Sequence, residues 1–565
     1  DMTNAGSLTN SGTIGSRTLL ALNANNIHNL GGVISGQDGQ LNAQQDINNI
    51  GGTIAAQNSL ILQAGQDINV ISTTQSSQNA TGASIHSASS GQGFSRTNLD
   101  RVAGLYVGGG QGLLAVVAGN DIHLDAAQII NTASNNANPD ATNTNQTMIS
   151  AGNNINLGTV QIAEQNNSIR NAKNYIKHGS TDDIGTTIQT EGDITLTAGQ
   201  DLNARAATIT SNAGALAGMA GGDINITSGE HTDNMATARY VKKSGTFSSK
   251  KTTTRDTFNN SNSIGSSLSA EAISLQSGND LTVQGSNVVA TQDVNLAASG
   301  NVNIISAQDT HDETHFKKVK QSGLSTSGAS VTLGSSKLTT TNDTQAVTQQ
   351  ASTVGSVEGN VNINAGKVYN QTASDVLTPA GDINIAAQQV NIVAGQDSYA
   401  NQQTMKYKQS GITLAVSSSA LNLAQNVAGT TQGTIKNAST GNKMLNALQT
   451  YANATTLMEQ ADEIASAVIA GEAKSAADAA GVRISISVGS SKASSTSSTN
   501  ATTSQESLLK AGGDINIKTS KDNINVVGSN IQAEQNVTID AAKDISLIAS
   551  ADTEANLSKN KSSSA

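Results

Sequence analysis

Short runs in which apolar and polar residues alternate recur along the whole chain, separated by turns that contain glycine. Near the N-terminus, Ile14, Ile34 and Ile54 follow one another at steps of 20 residues, each two positions after a glycine. Successive side chains of a β-strand point to opposite faces, so these runs predict strands with one apolar face. A period near twenty, built from two or three short strands, is typical of one coil of a β-helix. We expect the three isoleucines to point inward, one above another, and glycines such as Gly12 to form corners at positive φ.

Further along, a second signature appears: glycine, any residue, Asp or Asn, and then an alternating apolar strand. The acidic or amide positions follow one another at alternating steps of 13 and 8 residues, as at Asp280, Asp293 and Asn301. Hydrogen bonding of Asp and Asn side chains in corner turns explains these positions without a calcium ion. The sequence thus predicts a right-handed parallel β-helix of roughly fourteen coils, about 65 Å long at ~4.8 Å per coil. Its coils are predicted at 1–72, 118–165, 184–228, 266–306, 354–397 and 508–553.

Polar excursions interrupt the coils and begin at matching positions, directly after the strand of the second signature. Insertions that recur at one corner of a solenoid predict a row of projections along one face, and several have the pattern of long β-hairpins. The longest such arm is predicted at 398–507, with a helical segment at about 442–480 that carries an apolar stripe. We expect this helical segment at the far end of the arm, or else docked on the solenoid or on the arm itself.

Two strictly alternating segments of the longest arm form the candidate interaction site. If they pair as antiparallel strands, their apolar residues share one face. This face is predicted either to meet a membrane or partner or to pack on the flank of the solenoid and cover an exposed edge. The residues are Ile412, Leu414, Val416, Ile484, Ile486 and Val488.

The amino-acid composition limits the type of core and the kinds of site that the chain can form. Aromatic residues make up 2% of the chain, Trp and Cys are absent, and the formal net charge is −11. The chain therefore lacks the aromatic residues of an ordinary globular core, and stacked small apolar residues must stabilise it instead. The absence of cysteine excludes disulfides and thiolate sites, and the acidity argues against nucleic acid as a partner.

Two motifs suggest a ligand site. His311 and His315 lie four residues apart with carboxylates between them, but their order differs from the zinc motif and their neighbours suggest an extended arm. The glycine-rich segment 108–112 lacks the Gly-Lys-Ser/Thr of a phosphate loop and is interpreted as a flexible turn in an arm. We therefore predict no catalytic residues, no metal site and no cofactor.

The segments 64–70 (Ala-Gly-Gln-Asp-Ile-Asn-Val) and 511–517 (Ala-Gly-Gly-Asp-Ile-Asn-Ile) resemble the haemagglutinin repeats of filamentous haemagglutinin and CdiA exoproteins. The resemblance implies first-type repeats at 1–65 and second-type repeats with inserted arms at 66–565. It also implies two-partner (type Vb) secretion through an outer-membrane transporter that recognises other parts of a longer protein. The expected location is extracellular or at the bacterial cell surface.

The resemblance leaves two functions open. The first is a structural stalk of a contact-dependent growth inhibition exoprotein, which aids transfer of a C-terminal toxin through the outer membrane or a receptor of a target bacterium. The second is a filamentous adhesin that binds host cells or matrix through its arms. Neither is an enzymatic function of these residues. The sequence downstream of Ala565 would separate the two hypotheses.

Overall fold

The chain folds into a parallel β-helix, and an antiparallel sheet of hairpin arms projects from one of its corners. The computed structural model describes residues 1–3, 5–82, 91–109, 112–132, 145–327, 330–417, 442–449 and 483–564. Among these residues the structure contains one short helix, at 443–449, and is otherwise built almost entirely of strands. The predicted fold class is confirmed.

Each complete coil contributes one strand to each of three parallel sheets. Sheet 1 contains Thr13–Gly15, the first parts of Val33–Ala43 and Thr53–Ala64, Gly104–Val107, Gln128–Asn131, Thr187–Thr190, Thr208–Ser211, Ser267–Ala270, Asn287–Ala290, Thr353–Ser356, Asp375–Thr378, Leu508–Ala511 and Asn530–Ala533. Sheet 2 contains Met2–Thr3, Leu19–Ala24, the second parts of Val33–Ala43 and Thr53–Ala64, Leu113–Ala118, Gln146–Ala151, Asp193–Ala198, Leu216–Ala220, Ile273–Ser277, Val294–Ala298, Val361–Ala365, Ile383–Ala387, Ile515–Thr519 and Val537–Asp540.

Sheet 3 shows how many coils the described residues form. Its strands are Ser7–Asn10, Asn26–Leu30, Ile47–Ile50, Ile68–Ile71, Ile122–Asp125, the start of Ile155–Asn171, Leu202–Arg205, Ile224–Thr227, Leu281–Gln284, Val302–Ile305, Val368–Thr372, Gln389–Val393, Ile524–Val527 and Ile545–Ile548. These fourteen strands agree with the predicted number of coils. At ~4.8 Å per coil, the stack is about 65 Å long.

The interior is a set of apolar ladders that run along the stack. Ile14 lies opposite Ile34, and Ile34 lies opposite Ile54, as predicted. Ile34 and Ile54 are buried, whereas Ile14 is only partly buried because it lies in a terminal coil. Burial against the neighbouring coils replaces the large aromatic core of a globular domain.

The Asp and Asn residues of the second signature join consecutive coils at a corner. The Asp67 amide donates to Asp46 Oδ1 at 3.2 Å, and the Asp121 amide donates to Asp67 Oδ1 at 3.1 Å. The next coils continue the ladder: the Asn154 amide donates to Asp121 Oδ1 at 2.9 Å, and the Asp201 amide donates to Asn154 Oδ1 at 3.0 Å. Each side chain thus satisfies a backbone donor of the following coil, which accounts for its recurrence.

The glycines of the N-terminal coils work differently from our expectation. Positive φ occurs one residue earlier, at Gly31 (φ 68°) and Gly51 (φ 58°), and Gly12 does not adopt it. Gly32 and Gly52 instead leave room for buried asparagines, because a Cβ on Gly52 would lie 2.3 Å from the Asn29 side chain. The expectation that Gly12, Gly32 and Gly52 supply positive φ was therefore wrong.

From the fourth strand of sheet 3, Ile68–Ile71, onward, a hairpin arm leaves the solenoid after every second strand. We number them by their strand pairs: Thr73–Gly82 with Gly91–Arg101 (arm 1), Ile155–Asn171 with Asn174–Gly185 (arm 2), Gly229–Ser244 with Ser248–Ile264 (arm 3), Ala307–Ser327 with Ser330–Gln350 (arm 4), and Gly395–Ser417 with Arg483–Gln505 (arm 5). A last strand, Thr553–Ser564, follows the final coil. In the coils between arms, a residue at positive φ turns the same corner: Ala126, Ala206, Gly285, Ala373 and Gly528.

The arms pair with one another as well as within themselves. Each return strand lies antiparallel to the outgoing strand of the next arm, which gives one continuous eleven-stranded sheet, here called the arm sheet. The geometry permits this because two hydrogen-bonded strands occupy about 9.6 Å, the rise of two coils. An arm at every second coil therefore leaves no gap between neighbours.

Two of the predicted coil boundaries were wrong. Residues 104–117, which were predicted to lie in an excursion, belong to coil strands Gly104–Val107 and Leu113–Ala118 and the corner between them. Gly108, Gly109 and Gly112 therefore lie between two coil strands, so the prediction of a turn in an arm was wrong; Gly110 and Gln111 lie outside the described residues. Conversely, residues 159–165 belong to arm 2 and pair with its return strand. The domain boundary between residues 65 and 66 stays a prediction.

The described part of the helical segment packs on the solenoid, as one of the expectations had it, and does not lie at the far end of the arm, as the other had it. Leu445 and Leu448 are buried against Val289, Leu377 and Leu508 on the outer face of sheet 1. Asn442 caps this helix, since its Oδ1 accepts from the amides of residues 444 and 445 at 3.1 and 3.3 Å. The rest of the predicted helical stretch, 450–480, lies outside the described residues.

Candidate interaction surface on the arm sheet

The distal part of arm 5 pairs as the alternation predicts. In its antiparallel register, Ile412 lies opposite Val488, Leu414 opposite Ile486, and Val416 opposite Ile484. The base of the arm is at the other end of the same strands, where Gly395 lies opposite Gln505. The apolar residues thus occupy the end of the arm far from the solenoid. Their contact with a membrane or partner stays a prediction.

The row that contains Ile412 extends onto arm 4. Leu324 lies opposite Leu333, and Leu333 lies opposite Ile412. The three side chains are 52%, 56% and 49% exposed, so this apolar row is open to solvent. Leu324 and Leu333 were not predicted as part of this surface, because the register between arms follows from the spacing of the coils and leaves no local signal in the sequence. An exposed apolar row on neighbouring strands is a feature of interaction surfaces.

A row of glycines lies immediately beside this apolar row. Gly323, Gly334, Gly411 and Gly489 stand opposite one another on four strands. Gly323 and Gly411 have φ of 91° and 134°, and a Cβ on Gly334 would lie 2.1 Å from the Ser410 carbonyl oxygen. A side chain at Gly323, Gly334 or Gly411 would strain the backbone or collide with the neighbouring strand, so these positions favour glycine.

The histidine motif lies on the outgoing strand of arm 4, in the extended form that its neighbours suggested. His315 Nδ1 lies 2.9 Å from Asp256 Oδ1 of arm 3, and its Nε2 lies 2.7 Å from Glu313 Oε1. The Asp256 carboxylate, helped by Glu313, raises the pKa of His315 above its usual value. His311 Nδ1 instead lies 2.5 Å from Asn260 Oδ1. Among the described residues, no group of three or more His, Asp or Glu side chains is arranged to hold a metal ion.

Histidine–aspartate pairs also join arms 2 and 3. His178 Nε2 lies 2.9 Å from Asp233 Oδ1, and His231 contacts Asp182 through its Nδ1. With His315 and Asp256, three such pairs span the boundaries between neighbouring arms. Because they fix one arm against the next, these polar contacts favour a structural role for the motif.

The family model for the hemagglutinin repeat matches residues 16–113, 114–240, 233–323 and 486–565. The chain belongs to the hemagglutinin-repeat family. The family covers solenoid and arms alike, so the repeat unit includes both parts of this fold. No solved structure matches the chain.

Several curated relatives carry CdiA names. The chain is 32% identical over 347 residues to the 16S rRNA endonuclease CdiA of Enterobacter cloacae. The aligned segment covers 61% of this chain and 10% of that protein. It is 29% identical to the tRNA nuclease CdiA-2 of Burkholderia pseudomallei, over 67% of this chain and 12% of that one. It is also 31% identical to the deoxyribonuclease CdiA of Dickeya dadantii, over 67% of this chain and 11% of that one.

The chain thus spans about a tenth of the length of these relatives. Together with the repeat, this similarity identifies the chain as part of an exoprotein of the filamentous haemagglutinin and CdiA type. Proteins of this type are extracellular or at the cell surface, which confirms the predicted location. None of the described helices is long and apolar enough to cross a membrane.

Proposed function

We propose that this chain is a structural stalk and delivery region of a contact-dependent growth inhibition exoprotein, without catalytic activity of its own. One observation carries the proposal. The same repeats are similar in relatives named for cleavage of 16S rRNA, of tRNA and of DNA. A stretch common to proteins with three different substrates is suited to a task that all of them share, and delivery of the toxin is such a task.

The architecture is consistent with that role. A solenoid can hold its two ends at a fixed distance from each other, since each coil packs against its two neighbours. The arm sheet adds a second layer of cross-strand hydrogen bonds along the same stack. In this proposal the secretion transporter acts on other parts of the exoprotein, and the outer membrane or a receptor of the target cell meets the arms.

We further propose that the distal end of arm 5 is the part that faces the target. Its two strands are 23 residues long each, which exceeds the nine to eleven residues of a membrane-spanning strand. Their apolar residues occupy alternate positions near the tip. An alternating apolar face suits contact with lipid or with an apolar receptor surface.

The test replaces Ile412, Leu414 and Val416 by serine in the full-length exoprotein. Growth inhibition of susceptible target cells in co-culture is expected to fall at least roughly tenfold, with normal secretion and surface display. The matched control changes Thr413 and Ala415 of the same strand to serine and leaves inhibition unchanged. Unimpaired inhibition by the first variant would exclude a role of the tip in delivery. Loss of surface display would show that the residues serve packing instead.

A further inference from the structure

Six lysines stand side by side on six neighbouring strands of the arm sheet. Lys242 lies opposite Lys251, and the row continues through Lys320 and Lys337 to Lys408 and Lys492. Directly opposed residues of neighbouring strands share a face and lie ~4.8 Å apart, so this lysine row is about 24 Å long. The sequence positions are scattered over 250 residues, and only the pairing of arms 3, 4 and 5 aligns them.

Two further basic rows run beside the lysine row on the same face. The next row toward the solenoid contains Lys318, Lys406 and Lys561, and the one after it contains Arg255 and Lys559. The registers of these three rows include no Asp or Glu. A chain with a net charge of −11 therefore concentrates positive charge on one face of its arms.

This arrangement opposes folding of the arm sheet. Like charges directly opposite one another on neighbouring strands are destabilising. The pKa of Lys318 is accordingly lowered, first by Lys337 and then by burial, Lys320 and Arg255. Among the described residues, no ion pair involves a lysine of the row. The repulsion would be relieved by an anion from outside the chain.

A groove follows the lysine row on the side of the arm tips. It has a volume of about 430 Å³, and lysines line one side of it and serines the other. The serines stand in register on the same face, and pairs of them lie within hydrogen-bond distance: Ser249 and Ser322 at 2.8 Å between Oγ atoms, and Ser335 and Ser410 at 2.9 Å. The row of glycines follows the serines on the side of the arm tips.

We propose that this groove binds a linear acidic polysaccharide, with the carboxylates or sulfates of successive sugars along the lysine row and sugar hydroxyls against the serines. A row of charges spaced at ~4.8 Å matches an extended polymer with one charge per sugar better than it matches a single anion. Single-stranded nucleic acid binds through aromatic stacking, and Lys, Ser and Gln alone line the groove. A flat lipid surface reaches the exposed tips before it reaches the groove. This inference is independent of toxin delivery.

The test measures binding of polyuronate fragments to the purified 565-residue chain by isothermal titration calorimetry, with neutral dextran as the control polymer. The groove variant carries Lys320→Gln, Lys337→Gln and Lys408→Gln. The matched control carries Lys243→Gln, Lys250→Gln and Lys317→Gln, which remove the same charge from the opposite face of arms 3 and 4. Thermal unfolding of both variants checks the fold, and the groove variant should be at least as stable as the parent chain because repulsion is removed.

We expect the groove variant to bind polyuronate at least roughly tenfold more weakly than the parent chain, and the opposite-face variant to bind within about twofold. Binding should also weaken between about 0.1 and 1 M NaCl, where the Debye length falls from ~10 to ~3 Å. Equal loss in both variants, or equal binding of dextran, would overturn the proposal. Tighter binding of single-stranded DNA or of anionic phospholipid vesicles than of polyuronate would overturn it as well.

Discussion

The sharpest test of the solenoid compares two adjacent asparagines on one strand. Asn49 is fully buried, and its Nδ2 donates to the carbonyl oxygens of Gly52 at 2.9 Å and Gly104 at 3.2 Å. Its Oδ1 accepts from Asn29 Nδ2 at 2.8 Å. Asn48 points outward, is half-buried, and bonds Asn69 at 2.9 Å and His28 at 3.1 Å.

The two substitutions should therefore differ in cost. Asn49→Ala removes three buried hydrogen bonds and leaves their partners without water, which at about 1 kcal/mol each amounts to about 3 kcal/mol. Asn48→Ala removes two partly exposed bonds that water replaces, so its cost is about 0.5–1 kcal/mol. Each coil depends mainly on its neighbours, so the loss should stay local.

Native-state hydrogen exchange measured by mass spectrometry reads out this local stability. Peptides that contain the amides of Gly51, Thr53 and Gly104 report on the affected coils, since these amides donate to neighbouring coils. Asn49→Ala should raise their opening constants by roughly a hundredfold, and Asn48→Ala by less than about tenfold. Equal effects of the two changes would refute the argument that burial of the ladder, rather than its regularity, stabilises the coil.

Two further predictions concern the flank of sheet 1. Leu448→Ala should release the 443–449 helix and expose it to proteases, because it removes a fully buried side chain at a cost of about 2–5 kcal/mol, whereas the exposed Lys443→Ala should not. Undiminished protection in the leucine variant would show that the helix is held elsewhere. Burial, with the nearby Glu506 carboxylate, raises the pKa of Asp375 from 3.8 to about 7. Its protonated form therefore favours folding, and the wild-type chain should lose stability as the pH rises from about 4 to 7. Thermal melts of Asp375→Asn should lack this slope, and a parallel slope would contradict the assignment.

The pattern of residues along the chain was sufficient to predict the coil. Alternation within each strand shows which residues point inward, because successive side chains of a strand point to opposite faces. The 20-residue step of Ile14, Ile34 and Ile54 gives the length of one coil. The same alternation predicted that Ile412 and Val488 share a face of an antiparallel hairpin, whereas their direct pairing comes from the structure. It could also have identified Asn49 as buried, because Asn49 lies two residues after the inward-facing Ile47.

How separate segments of the chain meet depends on the stacking of the coils and arms. The contact of His315 with Asp256 joins residues 59 apart in the chain, and the lysine row joins three arms. No local pattern encodes these registers, because they follow from the equal rise of two coils and two strands. The docking of Leu448 likewise depends on apolar side chains that three distant strands expose on the outer face of sheet 1. An apolar stripe predicts that one face of a helix is buried, whereas the fold determines which surface it packs against.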